Sequence, residues 1–368
     1  MTRRKDYNDK SGLAYHWLEE NIGRVLLVLL FAGIGLWGLL LEGATDLSLI
    51  PRLARGMGPE LAGIVIAAIT IEALTERRQE RERKKILISQ LGSKYRDVTE
   101  MALIELRNRE WLYDGSLSGA NLGGADLNEA NLSRANLSGA NLSDANLSGA
   151  TLQGANLSRA TLWRTNLSEV NLEGADLSEA TLELANLNGA SLERTNLSEV
   201  NLEGANLSRA HLLAADLSQA NLGGVNLSGA NLIQANLSGA TLIMAYLDGA
   251  TLISADLSEA DLSCANLSGT KLWEANLSEV NLEGADLSEA DLSGANLSGA
   301  KKWAISQLEK ANKLDGGIMP DSLQLEPGWM RTWSQKLVEG PTFDDWKTQY
   351  LAKHGGAATD ERNTKWDR

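Results

Sequence analysis

Of the residues that serve most often as nucleophiles, proton shuttles or soft-metal ligands, this chain of 368 has three histidines, one cysteine and a long series of serines. Cys264 is the only cysteine, so neither an intrachain disulfide nor a cysteine-based metal site can form. His16, His211 and His354 fall in three separate parts of the chain, which argues against a histidine metal site. A serine hydrolase needs a histidine steered by an acid inside a cleft. His211 stands just before Leu212 in a regular repeat and is expected to point outward. No glycine-rich loop has the form that cradles phosphate. The many Asn-Leu-Ser triplets match the N-glycosylation acceptor, but they are by-products of the repeat. The reading is therefore of a non-enzyme, with no catalytic residue, cofactor or metal.

Charge is the remaining chemistry. Lys and Arg minus Asp and Glu give 17 − 15 = +2 for residues 1–110, 6 − 23 = −17 for 111–300 and 11 − 10 = +1 for 301–368. The central segment thus carries the acidity of the whole chain, which argues against direct contact with nucleic acid phosphates.

That segment is built on a period of five. Leu recurs at every fifth position from Leu112 to Leu297, thirty-eight times in register. Ala stands two residues before most of them, replaced by Val or Thr as at Val170 and Thr195. Asn or Asp usually precedes Leu, and Ser often follows it. On an α-helix a step of five turns about 140°, which would scatter the leucines around the cylinder. On a flat strand it would send successive leucines to opposite faces. The period fits a chain that turns a corner every five residues and aims each Leu at a common axis, with stacked coils about 4.8 Å apart.

Units such as Ala135-Asn136-Leu137-Ser138-Gly139 and Ala285-Asp286-Leu287-Ser288-Glu289 closely resemble the pentapeptide-repeat proteins. The resemblance implies an all-β solenoid: a right-handed quadrilateral β-helix with four units per coil of 20 residues. Residues 111–300 would then form a rod roughly 46 Å long. Some members of the family mimic DNA and bind type II topoisomerases, which links them to quinolone resistance. This rod would carry one net charge per about 2.7 Å against one per about 1.7 Å for B-DNA. DNA mimicry is accordingly the alternative to an acidic rod that presents a surface to a protein partner.

The flanks are expected to anchor and close the rod. Residues 1–24 read as a basic cytoplasmic segment. Residues 25–75 read as a transmembrane segment contacting membrane lipid, in the form of a two-helix hairpin. Its first span, 25–41, is 17 residues without a charge, at the lower limit for crossing a bilayer. The second, 59–75, is bounded more tightly by Glu60 and Glu72. The basic run Arg77, Arg78, Arg81, Arg83, Lys84, Lys85 then favours both ends inside by the positive-inside rule. This predicts a membrane protein of bacterial inner or thylakoid type with a cytoplasmic repeat domain. Residues 76–110 read as basic linker helices and N-terminal cap, with Ile86, Leu87, Leu91, Val98, Met101, Leu103 and Leu106 as the apolar stripe and a break at Gly92-Ser93. The order of membrane segment, basic helix, Trp111 and repeats resembles a bacterial subset of the family. Residues 301–368 read as C-terminal cap and tail, opening with a short helix marked by Ile305, Leu308, Ala311, Leu314 and Ile318.

The period of 20 also predicts one surface feature. Leu213, Ile233, Ile253 and Trp273 follow the leucine one coil apart, where the repeat usually has Ser or Glu. They predict a vertical apolar stripe about 15 Å long, which soluble surfaces rarely leave bare. It is the candidate contact with a protein partner or a second copy, or else the seat of the Trp-rich C-terminal tail.

Overall fold

The computed structural model describes residues 59–312 and 316–318. The chain divides into two compact units, 1–83 and 84–368. Helix α1, Pro59–Leu91, begins in the first and ends in the second.

In the first unit, α1 is regular and exposes Ile71 and Leu74. The structure corrects the expected second membrane span, 59–75. Those residues do not form a separate span but open a helix of 33 residues that runs on into the basic run. No helix among the described residues is long and apolar enough to cross a membrane. Glu72 stands among the apolar residues of its first half, and Glu76 directly precedes the charged run from Arg77. The first candidate span, 25–41, lies outside the described residues.

The second unit is a solenoid in four-cornered coils. Parallel bridges join residues 20 apart, from Asn121 with Asn141 to Asn281 with Lys301. Every fifth-position leucine from Leu112 to Leu297 is buried, with most of the Ala, Val and Thr column beside them. Three members of that column, Thr165, Thr195 and Thr270, carry buried hydroxyls, which donate to the carbonyls of Leu142, Leu172 and Leu267 at 2.7–2.9 Å.

Backbone accounting explains the five-residue unit, since buried N–H groups need partners. In the unit 196–200, Asn196 N–H donates to Ala175 at 3.0 Å on one neighbouring coil, while Leu197 and Glu199 N–H donate to Asp216 and Ser218 at 2.6 and 2.9 Å on the other. Val200 N–H closes the turn onto Leu197 at 3.2 Å. The fifth donor, Ser198 N–H, is taken by the side-chain Oδ1 of Asn196 at 3.1 Å. Asn or Asp before Leu therefore satisfies a donor that no neighbouring coil reaches. The third residue of each turn is left-handed, whether it is Gly139 at φ +64° or Glu199 at φ +56°. Glycine is frequent there because it adopts that conformation without steric cost.

Helices close both ends. At the start, Leu87 and Leu91 of α1 and Ala102, Leu103 and Leu106 of α2, Arg96–Asn108, pack on the first coils. Thr99 Oγ1 donates to the Asp126 carbonyl at 2.7 Å, and Asp126 N–H to the Ser93 carbonyl at 2.9 Å. The chain breaks between the helices at Gly92, where a Cβ would stand 3.0 Å from the Asn121 carbonyl. Ile86, Val98 and Met101 depart from the expected stripe: all three are exposed, Met101 at 74 %. Thr99 and Ala102 take their places because α2 presents that side to the coil.

At the far end, α3 is only Ile305–Glu309. The expected helical pattern out to Ile318 is too long. Ile318 instead adds a parallel bridge to Asn296, and its N–H reaches the Ala295 carbonyl at 2.8 Å. The open edge of the last coil offers that backbone pairing, which a continued helix would forgo. Gln307 Nε2 donates to the carbonyls of Leu282 and Ala285, both at 2.8 Å, and Trp303 and Leu308 are buried against the coil.

Candidate functional site

The chemically versatile residues are dispersed. His211 occupies a bridge position between Ser191 and Asn231 and is exposed. Cys264 is exposed at a left-handed corner, φ +58°. Among the described residues no group of three or more His, Cys, Asp or Glu side chains could hold a metal. His16 and His354 lie outside the described residues.

The stripe forms as a vertical column. Arg194 N–H donates to Leu213, Ala214 to Ile233 and Gln234 to Ile253, each at 2.9 Å, and Ser254 to Trp273 at 2.7 Å. These ladder bonds place the four side chains on consecutive coils of one face. Leu213, Ile233 and Ile253 are half-buried, and Trp273 is 44 % exposed. The earlier rungs are polar and pair with one another, as Gln153 Nε2 does with Glu173 at 3.1 Å.

Ten residues further along the coil, two corners away, lies a second feature on the opposite face. Gly204, Gly223 and Gly224 leave a shallow groove of about 640 Å³. Glu183, Leu184 and Glu203 form one wall, and Ile243 and Met244 the other. Leu184, Met244 and Ile243 are exposed at 57, 62 and 38 %. Leu184 leans over Gly204, where a Cβ would meet its Cδ2 at 2.9 Å, whereas a Cβ on Gly224 would meet nothing within 4 Å. Sequence reasoning missed this groove. Its signal was the pair Gly223-Gly224, set 20 residues from two apolar corner positions.

Charge is arranged rung by rung. Arg159 meets Glu179 at 2.9 Å, Arg164 meets Asp144 at 3.5 Å and Lys302 meets Glu283 at 2.7 Å, each pair joining neighbouring coils. The hydrogen bond from Arg159 holds the Glu179 carboxyl below the usual carboxylate range, and the bond to Glu283 holds Lys302 above the usual amine range. At the rod's entry the Lys84 ammonium and Arg109 guanidinium lie over the Trp111 ring, 4.7 and 5.0 Å from its centroid. The arrangement offers shape, apolar surface and charge.

The family model for pentapeptide repeats matches in eight copies, from residue 116 to residue 301. No curated protein sequence matches the chain. Among solved structures it is similar to HetL, a pentapeptide repeat protein involved in heterocyst differentiation regulation from the cyanobacterium Nostoc sp. strain PCC 7120. The identity is 35%, the TM-score 0.48, and 59% of this chain and 96% of HetL are covered. A trypsin-treated form of QnrB1, a plasmid-mediated fluoroquinolone resistance protein, matches at 20% identity and TM-score 0.32, covering 58% of this chain and 97% of QnrB1. A pentapeptide repeat protein from the Arabidopsis thaliana thylakoid lumen matches at 24% identity and TM-score 0.16, covering 40% and 82%. With its repeats matched over half its length, the chain belongs to the pentapeptide repeat family, whose members fold as right-handed quadrilateral β-helices.

Proposed function

We propose that this protein is a non-enzymatic scaffold, held at a membrane, whose acidic rod presents a surface to another protein or to a second copy of itself. The observation that carries the reading is the column Leu213, Ile233, Ile253 and Trp273, which sets four apolar side chains in vertical register on one face of the rod. Regular coils turn a chance apolar residue into an isolated point, whereas four in register make a continuous contact. The column also lies on the least acidic face, which nets 3 − 5 = −2 of the rod's −17. Anchoring rests on the uncharged run 25–41. The basic run from Arg77 to Lys85, which leads into the rod, favours its lying on the cytoplasmic side.

The test of the surface is crosslinking of the intact protein in mild detergent. Ile233→Ser with Ile253→Ser should abolish self-association or partner capture without changing the circular dichroism spectrum. Unchanged capture would remove the stripe from the function. For the anchor, the protein should stay with membranes through carbonate extraction, and a reporter after Arg368 should read cytoplasm. Release by carbonate would end the anchoring proposal.

A further inference from the structure

We propose that the glycine groove on the opposite face binds a short basic segment of a partner protein that also carries a large apolar side chain. This rests on the reading of the rod as an interaction scaffold and names a second site with its own partner chemistry.

The groove is built from three elements, each with a physical consequence. Its floor, Gly223 and Gly224, is bare, so an incoming chain can approach the backbone closely. One wall, Ile243 and Met244, exposes flexible apolar surface, and Leu184 faces it across the floor. Met side chains adapt to varied apolar partners. The third element is charge. Glu183 and Glu203 line the groove, and among the described residues neither makes a salt bridge. They differ in this from Asp144, Glu173, Glu179 and Glu283, each of which is within 3.5 Å of an Arg or Lys on the rod.

Nor are the two carboxylates left to wander. Asn201 Nδ2 donates to Glu183 Oε1, and Asn221 Nδ2 donates to Glu203 Oε2 at 3.3 Å. Each amide belongs to the next coil toward the floor, so both carboxylates are drawn in that direction. Glu203 Cγ lies 3.8 Å from where a Cβ on Gly223 would stand. Two held carboxylates beside apolar walls match a segment in which Lys or Arg stands close to Leu, Ile, Met or Phe. The charge steers and orients, and the apolar side chain fills the groove. An acidic or purely apolar segment would leave the carboxylates uncompensated as water is displaced.

A displayed library of random short peptides, selected on the full-length protein in mild detergent, provides the probe. Selected peptides should carry a basic residue close to a large apolar one. Fluorescence anisotropy with the best of them should show a loss of about tenfold or more in two variants. One is Gly223→Tyr, which fills the floor where a Cβ makes only ordinary contacts, 3.4 Å or longer. The other is Glu183→Gln with Glu203→Gln, which keeps the acceptors for Asn201 and Asn221 and removes only charge. Glu259→Gln with Glu279→Gln removes the same charge elsewhere and should leave affinity unchanged. So should Ile233→Ser with Ile253→Ser, which separates failure here from failure of the stripe. Met244→Ser is the second check should Gly223→Tyr not fold. The proposal is overturned if no peptide is enriched, if those enriched lack the basic–apolar pairing, or if they bind the groove variants as tightly as wild type. Tighter peptide binding in Trp329→Ala/Trp333→Ala would make the chain's own C-terminal segment the occupant, and loss of self-association in Gly223→Tyr would make it a second copy. Either result also overturns it.

Discussion

Converting Asn196 and Asn236 to Asp together should destabilise the rod in a salt-dependent way. Asp176, Asn196, Asp216, Asn236, Asp256 and Asn276 stand one above another, 20 residues apart, alternating charged and neutral. Each Asn points its amide at the Asp of the coil beneath: Asn196 Nδ2 to Asp176 and Asn236 Nδ2 to Asp216 at 3.0 Å, Asn276 Nδ2 to Asp256 at 2.9 Å. The alternation therefore does more than keep like charges apart, because it supplies each carboxylate with a donor. Asn→Asp is a selective perturbation. The new Oδ1 can still accept the N–H of Ser198 or Ser238, the turn contact that Asn now makes, and only the amide donor is lost. The double variant also creates four adjacent carboxylate pairs where there were none. At about 4.8 Å each pair repels by roughly 1 kcal/mol in a water-like dielectric, and more where the side chains are half-buried. Losing a hydrogen bond to a charged group adds about 1.5 kcal/mol per site, taken at the low end for partial exposure. The expected total is about 7 kcal/mol, concentrated in the middle coils. Thermal unfolding by circular dichroism reads it out in low salt and at about 1 M salt, where the Debye length of about 3 Å is shorter than the rung spacing. The melting temperature should fall clearly in low salt and recover part of the loss, the Coulomb part, in high salt. Asn196→Ala with Asn236→Ala should show no such recovery. A double Asp variant whose melting temperature ignores salt would refute the electrostatic account of the alternation.

Three further outcomes are expected. Leu207 is fully buried, so Leu207→Asp should split the solenoid and expose it to protease while Leu207→Met costs less than about 1.5 kcal/mol; equal protease resistance of the two would contradict the inward column. Gly139 sits at φ +64° with nothing within 4 Å of an added Cβ, so Gly139→Ala should cost only the backbone term of about 1–2 kcal/mol, whereas Gly317→Ala, meeting the Ala295 carbonyl at 2.9 Å, should raise amide exchange across the last coil. The Ser288 hydroxyl and N–H hold the Asp286 carboxyl below the usual carboxylate range; a depressed folded pKa contributes stability above the unfolded value near 4 and loses it as pH falls through the folded value, so Ser288→Ala should narrow the difference in stability between neutral and acid pH, measured by denaturant titration.

The repeat, its inward leucines and the vertical register of Leu213, Ile233, Ile253 and Trp273 could all be read from the order of the residues. The reason is local: every five-residue unit solves the same hydrogen-bond problem, so one solution repeats and distances along the chain convert directly into positions on a face. The corner every five residues was legible for the same reason, while the left-handed conformation at the third position of each turn came from the structure. Outside the repeats this conversion fails. A helical pattern did not reveal that α2 would turn Ala102 inward and Met101 outward, or that Ile318 would leave a helix to pair with Asn296. Those choices depend on which polar groups the end coils leave open, and only the assembled edge presents them. The groove was equally beyond reach, because it is an absence of side chains at Gly204, Gly223 and Gly224 between walls contributed from neighbouring coils. Its carboxylates are aimed by amides 18 residues away. The period placed each of these residues on a face; only side-chain packing between coils decided which way they lean and what space they leave.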